Sequence, residues 1–446
     1  MNQTSSVSRW LEKSAFRLNA WAMFAAFATY FCMYMFRKPF TAASYQGDTI
    51  ADWDQKSVLV GTQVLGYLIS KLIGVKVISQ MRPSHRAAGI LVLIAIAQGA
   101  LFLFSVLPHP WHVVAIGLNG LPLGMVFGLV LGFLEGRRMT EALTAGLCTS
   151  FILAGGFSKT VGQYLLEFLQ TQAQLQPSVA ERWMPFLAGA LFIVPICISV
   201  WMLTQIPAPD LSDTEQRSQR EPMTGKDRRH MVSKYGITLL SISIVYFVAT
   251  ILRSLRDDFA PEILAGLSNS VRPGDFTTIE SRVALLVMLV NATSVWIRSN
   301  LNALYASLFV SASGFAIILS ALLLKEQLEF SPIVFMTLLG AGLYLPYVAI
   351  HTTVFERLIA LTRDRGNIGF LMYVVDSIGY IGYVGVMFFR TGATARGGVN
   401  PESFLDQFLR FCWWGSIVSL AFVLIASIFV GRLKPSRSES SGSVSA

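Results

Sequence analysis

The sequence predicts an all-α integral membrane protein with twelve transmembrane helices in two pseudo-symmetric six-helix bundles. Three observations carry that expectation. The 446 residues are 53% hydrophobic and only 14% charged, with a mean hydropathy of +0.56, far more apolar than a soluble domain. Apolar runs recur along the whole chain, each long enough to cross a hydrocarbon core roughly 30 Å thick and too long for a barrel strand. One long charged connection divides these runs six and six.

In order, the expected spans are 19–44, 57–78, 87–107, 113–135, 142–168 and 184–206, then 236–264, 282–298, 302–324, 331–355, 367–389 and 408–431. The N-terminal bundle is expected over 1–206 and the C-terminal bundle over 236–431. The segment between, 207–235, contains "DLSDTEQRSQREPMTGKDRRH" and reads as a solvated linker. The Ser-rich end, 432–446, reads as a disordered tail. Basic residues concentrate before the first span (Arg9, Lys13, Arg17), at Arg137 and Arg138, in the linker and after the last span. Lys and Arg accumulate on the cytoplasmic side, so both termini are expected to be cytoplasmic in a multi-pass plasma-membrane protein, most naturally of a bacterial inner membrane. The first apolar run is too long for a secretory signal and lacks a small-residue cleavage site.

Several function classes find no support. Cys32, Cys148, Cys197 and Cys412 all fall in apolar segments without metal-ligand spacing and read as small packing residues. No P-loop, paired catalytic carboxylates or Ser/His/Asp arrangement is present, so no enzyme, cofactor, metal or nucleic-acid partner is expected. Gly120, Gly124, Gly128, Gly132 and Gly136 form a small-residue face on the fourth span. The stretch "FCWWG" (411–415) reads as lipid-facing or interfacial. His351, in the tenth span, reads as a hydrogen-bonded helix histidine that could titrate.

Charges inside the spans point to function. The first span carries "YFCMYMFR" (30–37) followed by Lys38, and the seventh "YFVATILR" (246–253), each with Tyr-Phe, five residues and Arg. "GFLEGR" (132–137) and "TVFERL" (353–358) are a second echo between the halves. A charge at the bilayer centre costs about 2.5 to more than 10 kcal/mol. Arg37 and Arg253 lie about 25 Å from the cytoplasmic start of their spans, at 1.5 Å per residue, with apolar sequence continuing beyond them. Two arginines facing a central cavity from related helices would form a two-sided clamp, because guanidinium offers paired donors matching two oxygens of a carboxylate or phosphate. Lys71 in "GYLISKLIG", Lys159 in "GGFSKTVG" and Asp376 in "YVVDSIGYIGY" are further intramembrane charges. Lys71 is expected either to pair with Asp376 or to join Lys159 in deepening a positive field for an anion.

At these residues the sequence resembles the organophosphate:phosphate antiporters of the major facilitator superfamily, the glycerol-3-phosphate and hexose-phosphate transporters. "YMFRKPFTAA" looks like their first-helix signature, "GYLISKLIG" their second-helix Tyr-x-x-Ser-Lys pattern, "TILRSLRDDFAPEIL" their seventh helix, and "GLYLPYV" (342–348) the start of their tenth. The resemblance implies that Arg37 and Arg253 bind phosphate with Lys71 beside them, and these segments add Tyr34, Lys38 and Tyr344 to the expected substrate site. It implies a transporter of a small anionic substrate in the lipid bilayer, exchanging an organic phosphate for inorganic phosphate; from the intramembrane charges themselves Asp376 is expected to balance charge in the empty state, and the protein is expected to be a monomer. Alternatives are a transporter-like sensor of such an anion and a proton-coupled carboxylate carrier. Three departures stand out: "GVKVISQMRPSHR" lacks the superfamily's aspartate after the second helix, the family's fifth-helix histidine is replaced by an apolar residue near Ile152, and Lys159 and Asp376 are extra charges.

Overall fold

The computed structural model describes residues 5–45, 49–50, 53–134, 140–207, 225–268, 270–293, 297, 299–362, 368–395 and 404–432. Helices account for nearly all of this. A short surface helix, α1 (Ser6–Glu12), is capped by the Ser5 hydroxyl, which accepts from Ser8 N–H. The first half continues with α2 (Ala15–Tyr34), α3 (Gln55–Gln80), α4 (Arg86–Val106), α5 (His112–Leu134), α6 (Thr140–Thr171), α7 (Pro177–Leu191) and α8 (Ile193–Thr204). The second half comprises α9 (Gly225–Asp258), α10 (Ala260–Leu267), α11 (Pro273–Ala292), α12 (Asn300–Leu324), α13 (Pro332–Ala349), α14 (Phe355–Thr362), α15 (Ile368–Ala395) and α16 (Phe404–Val430). Among the described residues, strands are confined to a two-residue antiparallel pair, Thr49–Ile50 with Trp53–Asp54.

Eight helices among the described residues are long and apolar enough to cross a membrane. The expected first, fifth, eighth and eleventh spans fall outside that set, and these carry or adjoin Arg37, Lys159, Glu280 and Asp376. The eleventh is represented by a shorter apolar helix, Val375–Phe389.

The expected first span, 19–44, is broken. α2 stops at Tyr34, whose carbonyl accepts from both Arg37 N–H (3.0 Å) and Lys38 N–H (2.9 Å). Pro39 lacks an N–H and disfavours a helical residue before it, so the chain turns and resumes as a 3₁₀ turn, Pro39–Ala42. The break leaves the Phe36 and Arg37 carbonyls without helical partners in a buried place. Asn119 Nδ2 donates to Phe36 O (3.0 Å), and Gln63 Nε2 donates to Arg37 O and to Asn119 Oδ1 (both 2.8 Å). Two buried amides thus hold the kink open, as burial of backbone polar groups requires.

Other expected boundaries also shift. The seventh span breaks at Phe259, ahead of Pro261, and the sixth at Phe192. Residues 225–234 of the expected linker are helical and continue into α9, whereas 208–224 lie outside the described residues. The eighth helix begins at Pro273 and ends at Ala292, not 282–298. Its N-terminal end is tied down by side chains: Asp275 Oδ2 accepts from Arg272 N–H (2.9 Å), and the Thr160 hydroxyl donates to Pro273 O (2.7 Å) and accepts from Thr277 N–H (3.2 Å). Glu280, buried one turn further on, accepts from Arg256 Nη1 at 2.6 Å.

By packing, the chain divides into two compact units. Unit 1 comprises Met1–Arg217, Leu255–Ala284 and Tyr380–Leu405; unit 2 comprises Ser218–Ser254, Leu285–Gly379 and Asp406–Ala446. α9, α11 and α15 each contribute residues to both units, so packing groups the chain differently from the sequence halves.

Within unit 1, α3 and α5 approach backbone to backbone. A Cβ at Gly120 would lie 2.1 Å from Gln63 O, one at Gly66 would lie 2.3 Å from Gly117 O, and one at Gly124 would lie 2.6 Å from Tyr67 O. The glycine face therefore seats α3, which carries Gln63, Tyr67 and Lys71. Gly132 instead accommodates the Arg86 guanidinium of α4. In unit 2 the corresponding device is Gly314 against Gly342, where an added Cβ at either would stand 2.6 Å from the other's carbonyl.

Gly120→Ala is expected to cost about 1–3 kcal/mol in thermal unfolding in detergent, whereas Gly99→Ala, with nothing within 4 Å of its Cβ, should be neutral. Glu280→Gln leaves the buried Arg256 charge uncompensated and should cost about 3–5 kcal/mol. The double change Arg256→Met with Glu280→Leu should be markedly milder by the same measurement.

Candidate functional site

Every buried cation needs compensation, and the kind of compensation separates the candidate residues into two classes. In unit 1, Arg37 follows the end of α2 and is 4% exposed. Its guanidinium carbon lies 3.9 Å from the Tyr67 ring centroid and 5.8 Å from that of Tyr34. Lys71, one turn beyond Tyr67 on α3, places its Nζ 5.1 Å from Tyr67 and 4.6 Å from Tyr380. The Tyr67 and Tyr380 rings pack with centroids 5.4 Å apart, and Tyr30 packs on Tyr34 at 5.6 Å. Among the described residues the buried Arg37 Nε meets no hydrogen-bond acceptor and Arg37 has no carboxylate partner. A cation over an aromatic face gains about 0.5–2 kcal/mol, well short of the cost of taking the charge out of water. The arrangement tolerates the cation and leaves it attractive to an anion.

A second group in unit 1 is compensated by carboxylates. Lys38 Nζ contacts Asp257 Oδ2 at 2.9 Å and also donates to Asp258 Oδ1. Lys159 Nζ lies 2.5 Å from Asp257 Oδ1 and donates to Gly155 O at 3.0 Å. Tyr383 Oη donates to Asp258 Oδ2 at 2.8 Å. Beside these, Arg256 pairs with Glu280, and Lys56 donates to Glu262 Oε1 (2.5 Å) and to Thr41 O (2.8 Å). Gly155 and Gly156 make room for the acids: a Cβ on them would stand 2.9 Å from Asp257 Oδ1 and 2.6 Å from Glu280 Cγ. The four lysine and aspartate charges cancel. Lys38 and Lys159, read from the sequence as substrate-facing, are held here by aspartates and do not join the tyrosine-lined set around Arg37 and Lys71.

Unit 2 contains a third group. Arg253 on α9 is 6% exposed; its guanidinium carbon lies 4.3 Å from the Tyr347 centroid and 5.6 Å from that of Tyr344. Tyr246, two helical turns before Arg253, stacks on Tyr347 at 5.0 Å with 25° between planes. His351 stacks on Tyr347 (5.8 Å, 11°) and on Tyr246 (6.3 Å, 16°). Tyr246 Oη donates to Asp376 Oδ1 at 2.9 Å and lies 3.4 Å from His351 Nδ1. His351 belongs to a π-helical turn, Ile350–Val354, that interrupts the tenth span just after Pro346.

The two buried arginines thus share a local design. Each lies over a tyrosine from a different helix, with a second tyrosine farther out. Tyr34 and Tyr344, expected from the sequence, are the outer rings; the nearer ones, Tyr67 and Tyr347, are revealed by the packing. Their signal was present as helical spacing: Tyr67 and Lys71 are four apart, and Tyr344, Tyr347 and His351 recur at three and four. Asp257 and Asp258 lie in the stretch that resembles the family's seventh helix, but their pairing with Lys38 and Lys159, and that of Tyr383 with Asp258, was not legible because the partners lie far away in sequence. Cys197 is exposed while Cys32, Cys148 and Cys412 are buried, and Phe411 and Trp414 are exposed as the interfacial reading requires.

Comparison with solved structures places this architecture. A bacterial homologue of the human lysosomal transporter Spinster, in an inward-facing, unoccupied conformation, matches with a TM-score of 0.57 at 14% identity, covering 93% of this chain and 96% of that one. A D-xylose–proton symporter matches with a TM-score of 0.60 at 11% identity, covering 94% and 98%. A bacterial homologue of the human peptide transporters PepT1 and PepT2 matches with a TM-score of 0.55 at 13% identity, covering 93% and 98%. At this identity the likeness shows the fold, the all-α membrane fold of the major facilitator type. No curated protein matches the sequence. Residues 39–432 match the family described as "Family of unknown function (DUF5690)", and the chain belongs to that family.

Proposed function

We propose that this protein is a secondary active transporter that moves a small organic phosphate or related multivalent anion by alternating access, in exchange for inorganic phosphate. The observation that carries the reading is the pair of buried guanidinium groups, Arg37 and Arg253, each laid on a tyrosine ring. A multivalent anion with paired oxygens supplies the charge-assisted, bidentate contacts that an aromatic face cannot. Lys71, over the same tyrosine as Arg37, adds to the positive field, and Asp376 balances charge in the empty state. Lys38 and Lys159 add theirs when their aspartates release them. The resemblance to the organophosphate:phosphate antiporters supports the choice of phosphate, and the distribution of Lys and Arg supports cytoplasmic termini in a bacterial inner membrane. The protein is proposed to act as a monomer.

The carboxylate-compensated cluster fits a closed gate. Within unit 1 it joins Lys38 and Lys159 of the first half to Asp257 and Asp258 of the second, and Lys56 to Glu262. In alternating access such pairs must part in one state and re-form in the other. A bound anion drives that change only through different affinity for the two states, and neutralising buried arginines supplies such a difference.

The test is counterflow of labelled phosphate into proteoliposomes preloaded with phosphate. Arg37→Lys and Arg253→Lys should each weaken apparent phosphate affinity about 10- to 100-fold, the loss of a charge-assisted contact worth about 1.5–3 kcal/mol, while thermal unfolding shows a folded protein. Wild-type counterflow in both variants would refute the arginine site. Phosphate binding without counterflow would favour the sensor reading.

A further inference from the structure

We propose that Asp376, Tyr246 and His351 form a proton-binding site in unit 2, coupled through the stacked rings of Tyr246 and Tyr347 to anion binding at Arg253, so that transport is linked to a proton. The coupling rests on the reading of Arg253 as an anion site; the proton site itself rests on geometry alone. Asp376 is buried on α15 and accepts at 2.9 Å from a tyrosine that is itself 1% exposed. The same Tyr246 oxygen lies 3.4 Å from His351 Nδ1. One hydroxyl therefore stands between a carboxylate and an imidazole. That is a proton wire of three groups with a donor that can point either way.

Two backbone features build this contact. Gly379, one turn past Asp376, lets α15 close on α9: a Cβ there would stand 2.9 Å from Thr250 Cγ2, and Thr250 lies one turn past Tyr246. The π-helical turn Ile350–Val354 sets His351 parallel to the rings of Tyr246 and Tyr347. A π turn inside an α-helix is a departure that recurs at functional sites.

Protons balance as follows. In the deprotonated state Tyr246 O–H donates to the Asp376 carboxylate, and His351 is neutral with its proton on Nδ1, directed at the tyrosine oxygen. A proton entering at His351 Nε2 lets the Nδ1 proton pass to Tyr246 and the tyrosine proton pass to Asp376. Asp376 is then neutral, Tyr246 donates to Nδ1, and His351 remains neutral with its proton on Nε2. One proton is taken up, and the negative charge of Asp376 is lost. The bordering elements also carry Arg253 on α9, with Tyr235, Arg256, Asp257 and Asp258 elsewhere on that helix, Tyr344 and Tyr347 on α13, Tyr380 and Tyr383 on α15, and Arg357 on α14, whose Nη1 donates to Asn300 Oδ1 at 3.2 Å. From α16, Gly415 meets Val248 and Leu252.

Arg253 lies on Tyr347, and Tyr347 stacks on both members of the wire. An ionised Asp376 partly neutralises the field around Arg253; protonation restores it and strengthens anion binding. By reciprocity, a bound anion must raise proton affinity by the same factor.

Two measurements test this separately. Infrared difference spectra of the full-length protein between about pH 5 and 8, without added anion, should show a protonated-carboxyl band that titrates in the wild type and disappears in Asp376→Asn; its persistence in that variant, or the absence of any titrating carboxyl, overturns the proton site. In proteoliposomes, an acid-outside gradient should drive phosphate accumulation in the wild type, and the ratio of gradient-driven accumulation to phosphate counterflow should fall about fivefold or more in Asp376→Asn and in Tyr246→Phe. An unchanged ratio in both variants overturns the coupling. A titrating Asp376 band that phosphate does not shift, together with no phosphate counterflow in the wild type, supports the proton site and removes the anion reading and the coupling built on it.

Discussion

The whole structure turns on how positive charge is held in a medium that will not solvate it. Three solutions coexist. Lys38 and Lys159 are held by Asp257 and Asp258, Lys56 by Glu262 and a backbone carbonyl, and Arg37, Lys71 and Arg253 lie against tyrosine faces. The solutions differ in strength. A carboxylate at contact distance in low dielectric compensates a cation far more than a ring quadrupole does. Arg37, which meets no carboxylate among the described residues, therefore keeps much of its attraction for an anion.

Backbone irregularity is placed where these side chains need it. The break after Tyr34 lets Arg37 leave the axis of α2 and reach Tyr67 on α3, and buried Gln63 and Asn119 accept the cost by hydrogen-bonding the freed carbonyls. Glycines at 66, 117, 120 and 124 bring α3 and α5 close enough for that network to form. In unit 2 the irregularity is a π turn that carries His351, and Arg253 stays within a continuous helix. The two halves repeat the arginine-on-tyrosine contact through different backbone solutions, so the sequence echo at Tyr-Phe and Arg marks shared chemistry more than shared local geometry.

A cluster of mutually neutralising pairs has a functional consequence that an apolar contact lacks. Each buried pair is close to energetic balance, because Coulomb attraction offsets desolvation. Pairs of that kind can separate when water or another ion replaces the partner, and this suits a contact that must open and close in the proposed cycle. The Asp376–Tyr246–His351 contact answers the same constraint in another way: a carboxylate buried among rings can lose its charge by taking up a proton.

By itself the sequence determined the membrane class, the all-α fold, the two-half organisation as an expectation and the residues that had to be special. Composition and run length depend only on local content, and Arg37, Lys71, Lys159, Arg253 and Asp376 stood out because an intramembrane charge is costly wherever it sits. Helix starts and stops were legible where proline or glycine acted locally, but α11 begins in charged sequence, where Thr160, remote in the chain, bonds to Pro273 O and Thr277 N–H. Only tertiary structure decided which cation met a carboxylate and which met a ring. Lys38 and Arg37 are adjacent in sequence, yet one is neutralised by aspartates and the other lies on Tyr67. Compensation acts through space over a few ångströms, and which groups come within that distance is set by helix packing and not by neighbouring residues.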